Sequence, residues 1–254
     1  MKLKLNLLIS FVFVALCSLC ISPNTEAGVC QGVAIPAYFY PGTLWTTSIA
    51  SPRTAIMIMN PDNGPGASKD VNYVNVVTSA HAAGVKVLGY VHTNYGDRPI
   101  QEVKSEINLY KQWYGVDGIF LDEASSITAD LAYYQAVANY IRAGKGGFVM
   151  LNPGSVPASQ SYIKLADTTV VFEETYDAYQ TWVPPSWIYN YPANKFAHLV
   201  HTTPSKLQMI NAVGLSKLRN AGFVYVTDDV ENNPWDSLPS YWQTELNTMA
   251  TCYN

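Results

Sequence analysis

Two pairs of carboxylates stand directly after apolar segments of this sequence. Asp122 and Glu123 close the segment VDGIFLDE (116–123), and Glu173 and Glu174 follow the apolar residues of VVFEETY (170–176). Cleavage of a glycosidic bond needs two carboxyl groups beside the scissile bond, one protonated to donate to the leaving oxygen and one ionised to attack the sugar or activate water. The two pairs can supply this chemistry if the fold brings them together.

Side chains alternate between the two faces of a strand, so only one member of each pair can face a common site. Asp122 shares a face with Phe120, and Glu123 shares the other face with Leu121. Both stay candidates, with Asp122 favoured. Glu173 is favoured over Glu174, for which we expect a structural role. Asp117 lies at the opposite end of the same strand as Asp122, so we also expect it to be structural.

Nearly every other apolar segment also ends in a polar side chain. These residues are predicted to position substrate: Tyr38, Asn60, His92, Tyr95, Asn152, His201 and Asp228. Two histidines far apart in sequence, without a neighbouring pair of ligands, do not indicate a metal site. The sequence contains no G-x-S-x-G motif for a serine nucleophile. We therefore expect catalysis by carboxylates without a metal or other cofactor.

The elements that must position these residues form a repeating pattern. Short apolar runs rich in β-branched residues predict eight strands, over 33–40, 55–60, 85–92, 116–122, 148–152, 169–173, 197–201 and 223–228. Helical periodicity between them is clearest over 70–83, 100–114, 129–143 and 205–220, and glycines at 84, 115 and 144 stand where left-handed C-caps belong.

This alternation of strands and helices predicts a single α/β domain, a closed (β/α)₈ TIM barrel. Its strands would all end at one mouth, where the active sites of such barrels lie. An open doubly wound sheet is the competing fold. It is disfavoured because no G-x-G-x-x-G phosphate turn occurs.

The N-terminus has the pattern of a secretory signal peptide, with two lysines before an uncharged apolar stretch and small residues approaching Ala27. An uncleaved membrane anchor is the weaker reading. We expect residues 1–27 to be removed and 28–254 to form the barrel, secreted or at the cell surface, with no membrane span in the mature chain. Cys30 and Cys252 would then be the remaining cysteines and are predicted to pair in an oxidising compartment.

Composition excludes some partners. Nineteen acidic and fifteen basic residues give a formal net charge of −4 without a basic stripe, so nucleic acid is not an expected partner. Eighteen Tyr and six Trp are compatible with sugar stacking, although most such rings pack in cores. No linker-like segment divides the chain, and no heptad or apolar patch predicts self-association, so we expect a monomer.

Five ordered motifs resemble the spherulin-4 family: IMNPDNGPG, AGVKVLGYVHTNYGDR, VDGIFLDE, LNPG and VVFEETY. The resemblance covers most of the mature chain. The family is named after a cell-surface protein of slime-mould spherulation, and its fungal members form glycoside hydrolase family 135, (β/α)₈ enzymes acting on galactosamine-containing polysaccharides. By position the resemblance implies an acidic trio of Asp122, Glu123 and Glu173. Glu174 departs from the small residue of many relatives.

The resemblance does not assign roles within the trio. Our hypothesis makes Asp122 the nucleophile or stabiliser and Glu173 the general acid. Chitinase-like barrels are disfavoured because the D-G-x-D-x-D-x-E register fails at Phe120. A non-catalytic surface or coat protein that binds a polysaccharide remains the alternative to a hydrolase of amino-sugar-containing polysaccharide.

Overall fold

The computed structural model describes residues 31–143, 147–230 and 232–250. The predicted signal peptide, Cys30, Cys252 and the predicted cap Gly144 lie outside these residues. None of the described helices is long and apolar enough to cross a membrane.

Eight parallel strands close into a barrel in the order of the chain, which confirms the predicted (β/α)₈ fold. Every predicted strand is present, with ends shifted by a few residues. The strands are β1 (Gly32–Ala37), β2 (Thr54–Met59), β3 (Lys86–His92), β4 (Gly118–Asp122), β5 (Phe148–Leu151), β6 (Thr168–Thr175), β7 (Phe196–His201) and β8 (Phe223–Val226).

Helices surround the barrel, and the four with the clearest periodicity are where the sequence predicts them. The helices are α1 (Thr43–Ile49), α2 (Val71–Ala82), α3 (Ile100–Trp113), α4 (Leu131–Arg142), α5 (Ser161–Leu165), α6 (Tyr176–Thr181), α7 (Lys206–Leu218) and α8 (Trp242–Met249). Asp70 and Ser205 cap the N-termini of α2 and α7 by accepting backbone N–H groups. Gly84 and Gly115 adopt the predicted left-handed conformation after α2 and α3.

Several strands differ from their predicted ends at the mouth of the barrel, including β8, which ends at Val226 instead of residue 228, and two of these differences, in β1 and β6, have identifiable contacts behind them. β1 ends at Ala37 instead of residue 40, because the Tyr38 backbone N–H bonds to the carbonyl of Trp235 in the loop after β8 (3.2 Å). β6 continues to Thr175, since Glu174 and Thr175 pair with Val200 and His201 of β7. Loop and strand contacts that are remote in sequence thus decide where these two strands end.

The core fills the barrel and the layer between strands and helices. Strand residues are almost entirely buried on both faces, as parallel strands covered by helices require. The segment KVLGYV contains a glycine because a Cβ at Gly89 would overlap the ring of Tyr110 on α3. This close approach holds α3 against β3 and leaves the carboxyl end of β3 fixed at the mouth.

Candidate active site

A polar cleft of about 550 Å³ opens at the carboxyl ends of the strands. Five of the predicted site residues line it: Tyr38, Asn60, Asp122, Glu173 and His201. Glu174, expected to be structural, lines it as well. The remaining lining residues come from the loops after β2 and β8 and from Tyr90: Pro61, Asp62, Asn63, Tyr90, Asn232, Asn233, Pro234 and Trp235.

The amide of Asn152 joins the two favoured carboxylates. Its nitrogen donates to Oδ1 of Asp122 (2.7 Å) and to Oε2 of Glu173 (2.6 Å). Asp122 ends β4, Asn152 directly follows β5, and Glu173 lies on β6. Three consecutive strands therefore bring the two predicted carboxylates together at one point of the cleft.

The turn LNPG holds this amide in one orientation. Oδ1 of Asn152 accepts the N–H of Gly154 (3.0 Å), so the amide nitrogen is the atom directed at the carboxylates. The carbonyl of Gly154 accepts the N–H of Glu173 (3.0 Å). The backbone of Asn152 is bonded to Leu121 and Ala124 on either side of Asp122. One short turn thus fixes both carboxylate-bearing segments relative to the amide.

Asp122 lies in a mixed environment. The pKa of its carboxyl is raised, chiefly by burial and also by the nearby Glu123, and hydrogen bonding from Tyr90 and Asn152 offsets only part of this. Burial and the neighbouring carboxylates raise the pKa of the Tyr90 and Tyr38 hydroxyls well above the usual value. Both phenols therefore stay protonated and can serve as hydrogen-bond donors in the cleft.

Aromatic rings form two walls of the cleft. Tyr38 packs edge-on against Tyr90, with ring centroids 5.4 Å apart, and Trp235 packs edge-on against His201 at 5.9 Å. Tyr90 and Trp235 were not predicted. Tyr90 lies within a strand, two residues before His92, and shares the inward face that strand alternation would have indicated. Trp235 lies in a long loop and carries no periodic signal.

Five predicted site residues lie outside the cleft lining: Asn152, Asp228 and a neighbouring group formed by Glu123, His92 and Tyr95. Nδ1 of His92 is 3.7 Å from Oε2 of Glu123, and the Tyr95 N–H bonds to the Glu123 carbonyl (2.7 Å). Glu123 and Tyr95 both have positive φ, 48° and 53°, and the Tyr95 side chain is 60% exposed. Glu123 thus turns away from the cleft that Asp122 faces.

Two other aspartates have structural partners. Asp228, predicted to bind substrate, accepts the backbone N–H of Ser240 (3.1 Å) and its hydroxyl, and lies outside the cleft lining. Asp117 lies at the opposite rim, where it accepts the Val87 N–H (2.8 Å) and contacts His81 (2.9 Å). The geometry of Asp117 agrees with the structural role expected for it.

The cleft is acidic. Four carboxylates line it, from Asp62, Asp122, Glu173 and Glu174, and no Lys or Arg does so among the residues that the structure describes. Within the same described ranges, no three His, Cys, Asp or Glu side chains are grouped so that they could hold a metal ion. The arrangement can hold a pair of carboxyl groups in different protonation states beside a bound, neutral or cationic ligand.

Residues 32–249 match the model of a family described as "Spherulation-specific family 4". The chain is 35% identical over 233 residues to Spherulin-4 of Physarum polycephalum, which covers 85% of this chain and 69% of that protein.

Among solved structures, Sph3 of Aspergillus clavatus in complex with GalNAc is similar, with a TM-score of 0.77 and 26% identity over 89% of this chain and 99% of that chain. The spore cortex-lytic enzyme SleL of Bacillus cereus has a TM-score of 0.52 at 13% identity, over 88% and 76% of the two chains, and shows the fold alone.

Proposed function

Because this chain belongs to the spherulation-specific family 4, we propose that it is a glycoside hydrolase that cleaves an amino-sugar-containing polysaccharide of the galactosamine type. The observation that carries the proposal is the convergence of Asp122 and Glu173, which line the cleft, on the buried amide of Asn152. The likeness to Sph3 supports a carbohydrate-active barrel. The carboxyl pair adds the groups that glycosidic bond cleavage needs.

In the proposed mechanism Glu173 is the general acid and Asp122 the nucleophile or charge stabiliser. Two carboxyl groups this close do not both ionise readily, so one of them holds a proton. Burial raises the pKa of Asp122 overall, and hydrogen bonds from Tyr90 and Asn152 oppose this by favouring the ionised form. In our hypothesis Glu173 holds the proton and donates it to the leaving oxygen, while Asp122 faces the developing positive charge of the sugar ring.

The separation of the pair favours retention of the anomeric configuration. Oδ1 of Asp122 and Oε2 of Glu173 both lie within 2.7 Å of one nitrogen atom. The two oxygen atoms are therefore within the roughly 5–5.5 Å that separates the carboxyl groups of retaining enzymes, below the 6.5–9.5 Å of inverting enzymes. We therefore propose direct attack by Asp122 rather than activation of a water molecule.

The lining of the cleft supports an amino sugar as substrate. Four carboxylates without an accompanying Lys or Arg in the described lining disfavour a polyanionic glycan and suit a neutral or cationic one. Tyr38 and Trp235 offer ring faces and edges against which a sugar can pack. Sph3 was solved with GalNAc bound, a sugar of this class. Secretion through the N-terminal signal would give the enzyme access to extracellular polysaccharide.

The test is the release of reducing ends from a panel of amino-sugar and neutral polysaccharides by the wild-type protein and by Asp122→Asn and Glu173→Gln. Either substitution should lower the rate about 10²–10⁴-fold, because it removes a proton-transfer or nucleophilic group without changing side-chain size. Asp117→Asn is the matched control. It is the same kind of substitution at an aspartate that lies at the opposite rim of the barrel, away from the cleft.

Full activity in either site variant would contradict the assigned roles. Glycan binding by a folded wild-type protein that releases no reducing ends would instead identify a non-catalytic surface or coat protein.

A further inference from the structure

We propose that Asn152 is a positioning residue that keeps the proton of the carboxyl pair off the two inner oxygens, Oδ1 of Asp122 and Oε2 of Glu173. The proposal rests on the proposed function in giving this proton a catalytic use. Its structural basis is the hydrogen bonding of one amide, whose three polar contacts are all within the described chain.

The first step concerns what an amide nitrogen can do. The NH₂ group of an asparagine has two donor hydrogens and no acceptor, and it does not titrate. Because Oδ1 is occupied by the Gly154 N–H, the amide cannot flip without losing that bond. Both hydrogens are therefore directed at Asp122 and Glu173, and both facing oxygens must be acceptors at every pH at which the turn is intact.

The second step concerns where the shared proton can lie. In a carboxyl pair that faces each other directly, the proton can sit between the two inner oxygens, as in aspartic proteases. Here Nδ2 of Asn152 bonds to both inner oxygens, Oδ1 of Asp122 and Oε2 of Glu173. The carbonyl-type oxygen of a carboxylic acid is the better acceptor, so whichever carboxyl is protonated presents its carbonyl-type oxygen to Asn152 and keeps its hydroxyl off the inner position.

The third step concerns which carboxyl holds the proton. The titratable groups near the pair are Tyr38 after β1, Asp62 after β2, Tyr90 of β3, Glu123 after β4, Glu174 of β6 and His201 of β7. Burial raises the pKa of Asp122 overall, while hydrogen bonds from Tyr90 and Asn152 act in the opposite direction. Because Nδ2 of Asn152 bonds to both carboxyls, the amide favours the ionised form of each and does not select which one holds the proton.

A second asparagine provides a matched control. Asn60 also directly follows a strand, precedes a proline, lines the cleft, and accepts the N–H of a glycine with its Oδ1 (Gly64, 3.0 Å). The Oδ1 bond of Asn60 stays within its own turn. Asn60→Ala therefore removes the same kind of turn bond and leaves the Asn152 donor of the carboxyl pair in place.

The experiment is a ¹³C NMR titration of side-chain carboxyls in protein labelled at Asp and Glu, with the two resonances assigned from Asp122→Asn and Glu173→Gln. In the wild type, the pair should titrate in two separate steps. In Asn152→Ala both steps should move to higher pH by about one pH unit, because each ionised carboxyl loses a donor. Asn152→Asp keeps an oxygen that can accept the Gly154 N–H, so the turn stays intact while the donor is lost. In this variant the higher of the two titration steps should move to a higher pH than in Asn152→Ala.

The pH profile of kcat/KM, measured for the same variants, tests whether the change in titration affects catalysis. Its acidic limb should move to higher pH in Asn152→Ala and stay in place in Asn60→Ala, whereas a loss of structure alone would lower activity at every pH without moving the limb. Titration curves that coincide in wild type and both Asn152 variants, or that move equally in Asn60→Ala, would overturn the proposal. A moved titration in a protein without any hydrolytic activity would uphold the positioning and refute the proposed function.

Discussion

At the scale of single residues, His198 shows how strongly burial sets protonation in this barrel. It is fully buried on β7, with Nδ1 at 2.6 Å from the Tyr179 hydroxyl and its ring against Trp182. Burial, and to a lesser extent Arg219, lowers the pKa of His198 from 6.5 to about 3. The ring is therefore neutral in the folded protein throughout the mildly acidic range.

This depressed pKa predicts a loss of stability in acid. Because the folded pKa lies below the unfolded one, the contribution of neutral His198 is fully present above about pH 6.5 and is lost as the pH falls from there toward 3. At pH 4.5 the loss should be about 2–3 kcal/mol. Glutamine does not titrate in this range. The free energy of unfolding, measured in urea at pH 7 and pH 4.5, should therefore fall less in His198→Gln than in the wild type. An equal decrease in both proteins would contradict the prediction.

Sequence patterns could predict residues that end a strand, and only those. Asp122 and Glu173 were predicted because each directly follows an apolar run, and Asn152 because it follows another. The role of Asn152 as a bridge could not be predicted, since it depends on an Asx turn to Gly154 and on the positions of two other strands. Tyr90 was missed because strand-interior aromatics usually only fill the core, and Trp235 because loop conformation has no sequence period.

At the scale of elements, the strands were the best predicted. Buried parallel strands are continuous apolar runs, and the chain has eight of them. The short helices α1, α5, α6 and α8 were not among the clear predictions, because helices of five to eight residues have little intrinsic stability and form only when packed against the barrel. The ends of β1 and β6 were misplaced for a related reason, since their limits depend on Trp235 and β7.

The turn after β3 holds unusual backbone conformations. Asn94 and Tyr95 are both left-handed, with φ of 47° and 53°, and the Tyr95 N–H is bonded to Glu123, which is also left-handed. For a residue with a Cβ, this conformation costs on the order of 1 kcal/mol or more. The turn therefore holds strain beside the cleft, and Tyr95 is presented to solvent by it.

Relief of this strain should stabilise the protein. Tyr95→Gly is expected to raise the free energy of unfolding by about 1 kcal/mol relative to Tyr95→Ala, because both lose the exposed ring and only glycine relieves the positive φ. For a domain of this size the difference corresponds to roughly 2–4 °C in Tm. Thermal unfolding of the two variants measures it directly. A Tm of the glycine variant at or below that of the alanine variant would show that the turn is not strained.

At the scale of the whole molecule, the barrel closes at a short seam. β1 and β8 are paired in register through two residue pairs, Gly32 with Phe223 and Val33 with Val224. The buried side chain of Gln31 strengthens the seam by donating to Ser216 and to the Ala221 carbonyl, both at 2.8 Å. The start of the barrel is thus held to the end of α7 and the segment that leads into β8.

The predicted disulfide between Cys30 and Cys252 would close nearly the whole chain into one loop. A loop of this length should stabilise the fold by roughly 4–5 kcal/mol in the chain-entropy model, so Cys252→Ser should lower Tm on the order of 10 °C in secreted protein. Mass spectrometry of denatured, unreduced protein after alkylation checks the bond. Modification of both cysteines under these conditions would disprove the pairing.

Strain in the barrel is concentrated at one rim. Of the six non-glycine residues with positive φ in the described chain, five lie in loops at the mouth, at positions 63, 94, 95, 123 and 202, and the sixth, Asn220, follows α7. Laboratory evolution for heat resistance alone would therefore find its easiest gains at this rim. Such a selection would replace the residues that shape the mouth, and it would yield a more durable barrel with a degraded cleft unless glycan turnover is screened in the same step.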